Sequence, residues 1–123
     1  MSAEVFLDDE SVPVWVRRNE CLRLLDLALS EAKRRGAVMV EAEAAYYTAK
    51  ARASFSLLEQ GHANTLIQSV VKGVPEVSEA MAAYHAAEVE YKNANEAINV
   101  YKMKLRVLEA DLEREYEQAR RQM

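Results

Sequence analysis

The second half of the chain carries apolar or small residues at two positions of each of the six complete heptads from Val77 onward, with the single exception of Glu115 in the last one. This repeat constrains the fold more than any other feature. The first heptad position is Val77, Tyr84, Tyr91, Ile98, Leu105, Leu112 and Ala119. The fourth heptad position is Ala80, Ala87, Ala94, Tyr101, Leu108 and Glu115. A seven-residue repeat sustained over this length is typical of a supercoiled helix. Because Pro75 suits a first helical turn, we predict a long helix over 76–122.

An earlier helical pattern begins at Val14. It contains apolar residues seven apart and others three positions after them: Trp15, Leu22, Leu25, Leu29 and Ala32. This stripe predicts the face that packs against a partner helix. An alanine-rich stretch continues the pattern to Gly61, a residue suited to end a helix. We therefore predict a first arm over 14–60, after a loose acidic lead-in over 1–12.

The segment 61–75 is predicted to connect the two arms. Thr65 to Gln68 has the form of a capping box, which favours a short helix through Val71 that ends at Gly73. The β-branched residues in this segment leave a strand as an alternative: Val70, Val71 and Val74. In either case the connection is long enough to reverse the chain.

Two arms of nearly equal length predict an all-α fold, a long antiparallel helical hairpin forming one domain over 1–123. Residue i of the first arm then lies opposite residue 135 minus i, which places Arg18 near Glu115. Two helices bury only a narrow seam, and a chain of this size with such a core is marginally stable. Either the first arm bends at Gly36 to give a three-helix bundle, or the hairpin self-associates. We expect self-association into a homo-oligomer.

No motif in the chain provides reactive chemistry. Cys21 is expected to be a small buried apolar residue, because no basic side chain is placed by sequence to activate its thiol. His62 and His85 lie on different elements. His62 follows Glu59 by three residues, but His85 follows no glutamate at that spacing, whereas carboxylate-bridged metal sites require such a pair on each of two facing helices. We therefore predict no catalytic, cofactor-binding or metal-binding residues, and a protein that is not an enzyme.

Charge and hydropathy predict the setting in which the chain works. A formal net charge of -4 gives no bulk attraction toward DNA or anionic lipid. No apolar run approaches the roughly 20 residues that span a bilayer, and the N-terminus lacks the pattern of a signal peptide. These features predict a cytoplasmic protein, of the cell or of an infected host, with no membrane partner.

Two sets of residues are candidate contact surfaces. The hairpin register predicts a basic band near the middle of the arms: Lys33, Arg34, Arg35, Lys102, Lys104 and Arg106. Such a band could contact phosphates without sequence specificity, although glutamates nearby could equally balance it as an ordinary charged surface. A second set consists of tyrosines left outside a two-helix seam, which would form a protein interface: Tyr46, Tyr47, Tyr101 and Tyr116.

A further set of features, over residues 40–120, follows a recognisable order. It comprises Lys50, Arg52, Gly61, Thr65, Pro75-Glu76-Val77, Ala87-Glu88, Tyr91-Lys92, Leu105, Leu108 and Arg114. In this order the chain resembles small phage and prophage proteins that form helical hairpins and are often encoded beside recombination genes. The resemblance implies a non-enzymatic accessory factor whose partner is a recombination or replication protein.

Three functions are consistent with these features. The leading hypothesis is an oligomeric helical interaction protein that acts on DNA-recombination or replication proteins. The second is direct, non-specific nucleic-acid binding through the basic band. The third is a holdase-like chaperone or an inhibitor of a host protein, since the chain also resembles prefoldin-type subunits in arm length, but lacks their β-hairpins.

Overall fold

A computed structural model describes residues 6–122 of the chain. Helix α1 spans Val14–Glu59, helix α2 spans Asn64–Val70, a 3-10 turn spans Val71–Gly73 and helix α3 spans Pro75–Arg121. The described part of the chain contains no strand. The prediction of an all-α hairpin built on two long helices is therefore confirmed.

The two long helices end and begin where the sequence indicates. Gly61 has a φ of +88°, a left-handed conformation in which glycine carries no Cβ penalty. Its N–H donates to the carbonyl of Leu58 at 3.0 Å, and the N–H of His62 donates to the carbonyl of Leu57 at 3.2 Å. This pair of bonds is the Schellman motif, which satisfies the last carbonyls of α1.

The connection differs from its prediction in detail. Its helix α2 begins at Asn64 with Ala63 as the N-cap, and no side chain caps it. The capping box predicted from Thr65 is therefore wrong, because Thr65 already lies inside the helix. The strand alternative is also wrong, since Val70 is helical and Val71 starts the 3-10 turn. That turn ends at Gly73 as predicted.

Helix α1 continues without interruption through Gly36, so the three-helix alternative is wrong. Glycine at this position has a packing role. A Cβ built on Gly36 would lie 2.9 Å from Cε2 of Tyr91, which is closer than side chains approach one another. The missing side chain therefore makes room for the Tyr91 ring of α3.

Contacts divide the hairpin into two compact units. Among the described residues, unit 1 joins residues 6–32 with residues 94–122, and unit 2 comprises residues 33–93. The predicted core positions of α3 are confirmed in unit 1, where Ile98 and Leu108 are buried and Leu105 packs against the same core. The last heptad is an exception, because Glu115 and Ala119 are exposed.

The stripe predicted to pack α1 against its partner is partly right in unit 1. Ala32 is buried and Leu25 packs against its cluster, as predicted. Trp15 is 59% exposed and Leu29 is 46% exposed, whereas Val14 and Cys21 are buried. Among the positions spaced by seven, the buried residue therefore lies one residue before the predicted one, which is a rotation of about 100° around a helix. Small residues such as Cys21 and Ala32 form the seam because they let the helices approach closely, and the larger side chains flank it.

The predicted register is wrong as well. Arg18 faces Glu109, with Nε 3.9 Å from the carboxylate, instead of Glu115. Arg35 lies 3.2 Å from the carboxylate of Glu90, where the arithmetic required residue 100. In both units the partner in α3 therefore comes several residues earlier than predicted.

An asymmetric connection explains this shift in unit 2. Ala53 of α1 shares a buried cluster with Val71 and with Val77 at the start of α3. Leu57, one turn further along α1, packs against the same cluster. The connection returns the chain to this cluster, because Val71 is one of its buried members. Equal arm lengths could not predict this return.

Candidate interaction surfaces

One side of unit 1 is covered by residues 6–12, which we call the N-terminal segment. Leu7 is only 2% exposed and packs in the cluster of Cys21 and Leu108. Arg17 holds the segment, since its Nε donates to the carbonyl of Val12 at 3.0 Å and Nη1 donates to that of Leu7 at 3.4 Å. The prediction of a loose lead-in is therefore wrong for these residues. Residues 1–5 of the lead-in lie outside the described residues.

The N-terminal segment also carries charge into unit 1. Asp8 lies 3.2 Å from Nζ of Lys104 on α3. At the turn before α1, Ser11 donates from its hydroxyl and its backbone N–H to the Asp9 carboxylate, which lowers the pKa of Asp9 below its usual range. A cleft of about 360 Å³ lies between the segment and α3, with Met103 on its wall. Apolar burial and polar contacts thus both hold this segment.

The opposite side of unit 1, which we call the open side, has no such cover among residues 6–122. It combines the exposed stripe of α1 with neighbouring residues of α3: Trp15, Arg18, Leu22, Leu29, Glu109, Leu112, Glu113 and Tyr116. Tyr116 is 69% exposed. The Nε of Arg18 is shielded from solvent and donates no hydrogen bond among the described residues. This side is therefore apolar, with a loosely satisfied charge pair at its centre.

The six cations of the predicted basic band fall in different units. In unit 2, Arg35 donates to the backbone carbonyl of Glu90 at 3.2 Å and also pairs with its carboxylate. Lys33 is exposed, and Arg34 lines a small surface depression with Val38. Since Arg35 faces Glu90, the register that placed this run opposite Lys102 is wrong.

The other three cations of the band lie on α3 in unit 1. Lys104 pairs with Asp8 and points to the side that the N-terminal segment covers. Lys102 and Arg106 are exposed, and neither makes an ion pair within the described range. The basic residues of unit 1 therefore lie on two different surfaces and do not form one band.

The four candidate tyrosines also divide into two kinds. Tyr46 stacks on Tyr84 of α3 with ring centroids 6.1 Å apart, and Tyr101 packs against the core of unit 1. These two belong to the seam, so their placement outside it is wrong. Tyr47 and Tyr116 are exposed, as an interface would require.

Sequence reasoning missed an apolar surface at the connection end of unit 2. Two pairs of exposed apolar side chains lie there, one on the last turns of α1 and one on α2: Phe55 and Leu58, and Leu66 and Val70. Helix α2 has two apolar faces, because Ile67 and Val71 are buried while Leu66 and Val70 are exposed. The signal was present in the sequence as two overlapping apolar pairs, each spaced by four residues.

The residues considered for reactive chemistry lie apart from one another. Cys21 is fully buried, and its thiol donates to the carbonyl of Tyr101 at 3.4 Å. Burial raises the pKa of this thiol, as suits a core residue and not a nucleophile. His62 and His85 are exposed. Among residues 6–122 no three His, Cys, Asp or Glu side chains are grouped to hold a metal ion, and no helix could cross a bilayer.

Comparison with known proteins adds no relative to this description. The chain matches no protein family, no curated protein and no solved structure.

Proposed function

We propose that the chain is a non-enzymatic interaction protein, assembled from more than one copy, that binds another protein through its helical surface. The observation that carries this proposal is the apolar surface at the connection end of unit 2. Phe55 is 62% exposed and Leu58 is 52% exposed, on one face of the end of α1. Large apolar side chains grouped in this way usually mark a site of protein contact.

Energetics favour a protein as the occupant of this surface. Fully burying a Phe or Leu side chain contributes about 1.5–3 kcal/mol. The four exposed residues of the connection end could therefore supply much of the affinity of an ordinary complex. No cation is needed for this contact, and the paired cations Arg35 and Lys104 are already engaged by carboxylates. These contacts support protein binding over phosphate binding.

The class of partner follows from the resemblance to phage helical hairpins over residues 40–120. We propose that the chain is a phage accessory factor and that its partner is a recombination or replication protein. A single-strand annealing protein is the most direct candidate. The connection end lies within the range of the chain, residues 40–120, over which this resemblance extends.

A binding experiment tests this proposal. The double variant Phe55→Ser/Leu58→Ser removes two exposed apolar side chains without opening the core. We expect it to weaken binding to a purified phage annealing protein by about 100-fold, as loss of interface anchors does. The matched control, Val40→Ser, changes an apolar side chain of α1 that is equally exposed. It should bind like the wild type.

Two further measurements complete this experiment. The triple variant Cys21→Ala/His62→Asn/His85→Asn should retain binding, because the contact uses no reactive side chain. Titration with single-stranded DNA at several salt concentrations should show no steep, salt-dependent affinity of the kind that phosphate contacts produce. Steep salt-dependent DNA binding with no annealing-protein binding would replace the proposal by direct nucleic-acid binding.

A further inference from the structure

On the outer surface of α3 in unit 1, four charged residues are spaced symmetrically about a midpoint, and the two residues of each symmetric pair have opposite charges. Two cations, Lys102 and Arg106, precede two anions, Glu109 and Glu113. Their spacings of four, three and four residues place all four on one face of the helix. Reversing the direction of the helix exchanges the cations with the anions, so Lys102 takes the place of Glu113 and Arg106 that of Glu109. We call these four residues the charge stripe.

The isolated chain makes little use of this stripe. All four side chains are exposed. Apart from the 3.9 Å contact between Glu109 and Arg18, none of them makes an ion pair within residues 6–122. The two i,i+4 pairs along the stripe are like-charged, which destabilises a lone helix by about 0.2–0.5 kcal/mol for each pair, and only the i,i+3 pair of Arg106 with Glu109 is opposite in charge. The pattern therefore suits a partner that presents the opposite order of charges.

The stripe borders the open side of unit 1. The contact of Arg18 with Glu109 places both helices on this side, and the same groove is lined by Leu112 and Tyr116. On α1 the open side carries the exposed Trp15 and the partly exposed Leu22. An apolar strip thus runs alongside a self-complementary row of charges.

We propose that the open side of unit 1 binds the same side of a second copy, with the two α3 helices antiparallel. Lys102 then faces Glu113 of the other copy and Arg106 faces Glu109, and the twofold axis repeats both contacts. Along the length of α3, the twofold axis lies at the level between Val107 and Leu108. This inference rests on the proposed function in one respect, since both take the chain to work as an assembly of copies.

The symmetry of the arrangement distinguishes it from other dimers. A twofold interface brings each surface against itself, so a residue contacts its symmetric counterpart in both directions. With α3 against α3 in opposite directions, Trp15 of one copy lies above Leu22 of the other. Both helices then contribute, and the exposed indole becomes covered. A parallel arrangement of the two α3 helices would instead oppose like charges along the whole stripe.

Charge reversal tests the proposal in the full-length chain. The variant Lys102→Glu/Arg106→Glu makes the stripe wholly acidic, and Glu109→Lys/Glu113→Lys makes it wholly basic. Each variant alone opposes like charges across the axis, and we expect self-association at low salt to weaken by at least about tenfold. Sedimentation velocity measures this against the monomer mass of 13.9 kDa.

Two restorations distinguish the interface from a loss of folding. A one-to-one mixture of the acidic and basic variants should form a heterodimer, because their stripes are complementary. The quadruple variant carries all four changes, so two anions precede two cations. This order is again complementary to itself when one helix is reversed, and the variant should dimerise like the wild type. A control with the same change in net charge, Lys72→Glu/Arg121→Glu, alters exposed residues outside the stripe and should leave the dimer intact.

The outcomes separate this inference from the proposed function. A wild-type chain that remains at the mass of one copy overturns the dimer, and so does a quadruple variant that stays monomeric beside dimeric wild type. Binding of the annealing protein is measured at Phe55 and Leu58 in unit 2, and none of the stripe residues belongs to that surface. A monomeric chain that still binds the annealing protein would overturn the dimer, and with it the assembly of copies, but would leave the proposed protein-binding surface standing.

Discussion

Each unit adds a short third element to a two-helix seam, but the two units hold that element by different forces. In unit 1 the N-terminal segment combines the buried Leu7 with hydrogen bonds from Arg17 and the ion pair of Asp8 with Lys104. In unit 2 the connection buries Ile67 and Val71, and no side chain caps its helix α2. A narrow seam of small residues thus needs extra apolar cover, whether or not polar contacts accompany it.

The small residues in both seams explain why each unit needs this additional cover. Cys21 and Ala32 in unit 1, and Gly36 and Ala53 in unit 2, bring the helices close together. Small side chains bury little area, so they contribute less hydrophobic stabilisation than leucines would. The third elements supply larger buried side chains at the places where the seam cannot. Variants that remove these side chains should therefore have the largest effects.

Leu7→Ala should have the largest effect. The side chain is almost completely buried beside Cys21 and Leu108, so its truncation leaves a cavity and should cost about 2–5 kcal/mol of unfolding free energy. Urea denaturation measures this change. Because Cys21 is the only cysteine, its rate of alkylation also reports opening of unit 1 and should rise. An unchanged free energy and alkylation rate would mean that the N-terminal segment does not cover this core.

Val71→Ala should have the next largest effect. It removes two buried methyl groups from the connection, which should cost about 2 kcal/mol. A reporter for unit 2 is Ala53→Cys in a Cys21→Ala background, since Ala53 packs in the same cluster as Val71. Alkylation of the new cysteine should become faster when Val71 is truncated. The exposed neighbour Val70→Ala is the matched control, and a similar loss from both variants would contradict the burial of Val71.

The polar contacts of unit 1 predict that its contribution to the unfolding free energy depends on pH, whereas that of the connection in unit 2 should not. Hydrogen bonds from Ser11 lower the pKa of Asp9 below its ordinary value of 3.8. A carboxylate with a depressed folded-state pKa contributes stability above its unfolded pKa, and that contribution is lost as the pH falls through the folded pKa. Asp9→Asn should therefore be slightly less stable than the wild type at pH 7.

Acid titration checks this expectation. The difference in unfolding free energy between wild type and Asp9→Asn should vanish once the pH is below the folded pKa of Asp9, because both side chains are then neutral. The control Glu10→Gln changes an exposed carboxyl of the same segment and should show no such convergence. A difference that persists at low pH would assign the effect of Asp9→Asn to geometry and not to charge.

Sequence patterns predicted helix α3 better than helix α1 for a physical reason. In α3 every buried residue occupies one of the two predicted heptad positions: Val77, Ala87, Ala94, Ile98 and Leu108. In α1 the large residues Trp15 and Leu29 flank the seam, while Cys21 occupies it. Hydrophobicity alone ranks tryptophan and leucine as core residues, so the pattern placed Trp15 and Leu29 wrongly while it placed Ala32 correctly.

The surfaces were harder to predict because they depend on register. The basic band required the two arms to align as if the connection were symmetric, and the contact of Ala53 with Val77 shows that it is not. The N-terminal segment was missed because its composition is acidic, and a single leucine decides its burial. The connection end was missed because an exposed α2 face and a buried one carry the same residue types.

Gly36→Ala should have the smallest effect and tests how closely the helices approach in unit 2. Alanine favours a helix over glycine by about 1 kcal/mol, but the new Cβ would lie 2.9 Å from the Tyr91 ring. The ring must therefore move, and the two effects should nearly cancel. In a Tyr91→Ala background the three atoms nearest the new methyl group are gone, so the same substitution should stabilise the chain by about 1 kcal/mol. Urea denaturation of all four chains gives the coupling between the two positions. Equal effects of Gly36→Ala in both backgrounds would show that the helices leave room for a side chain at residue 36.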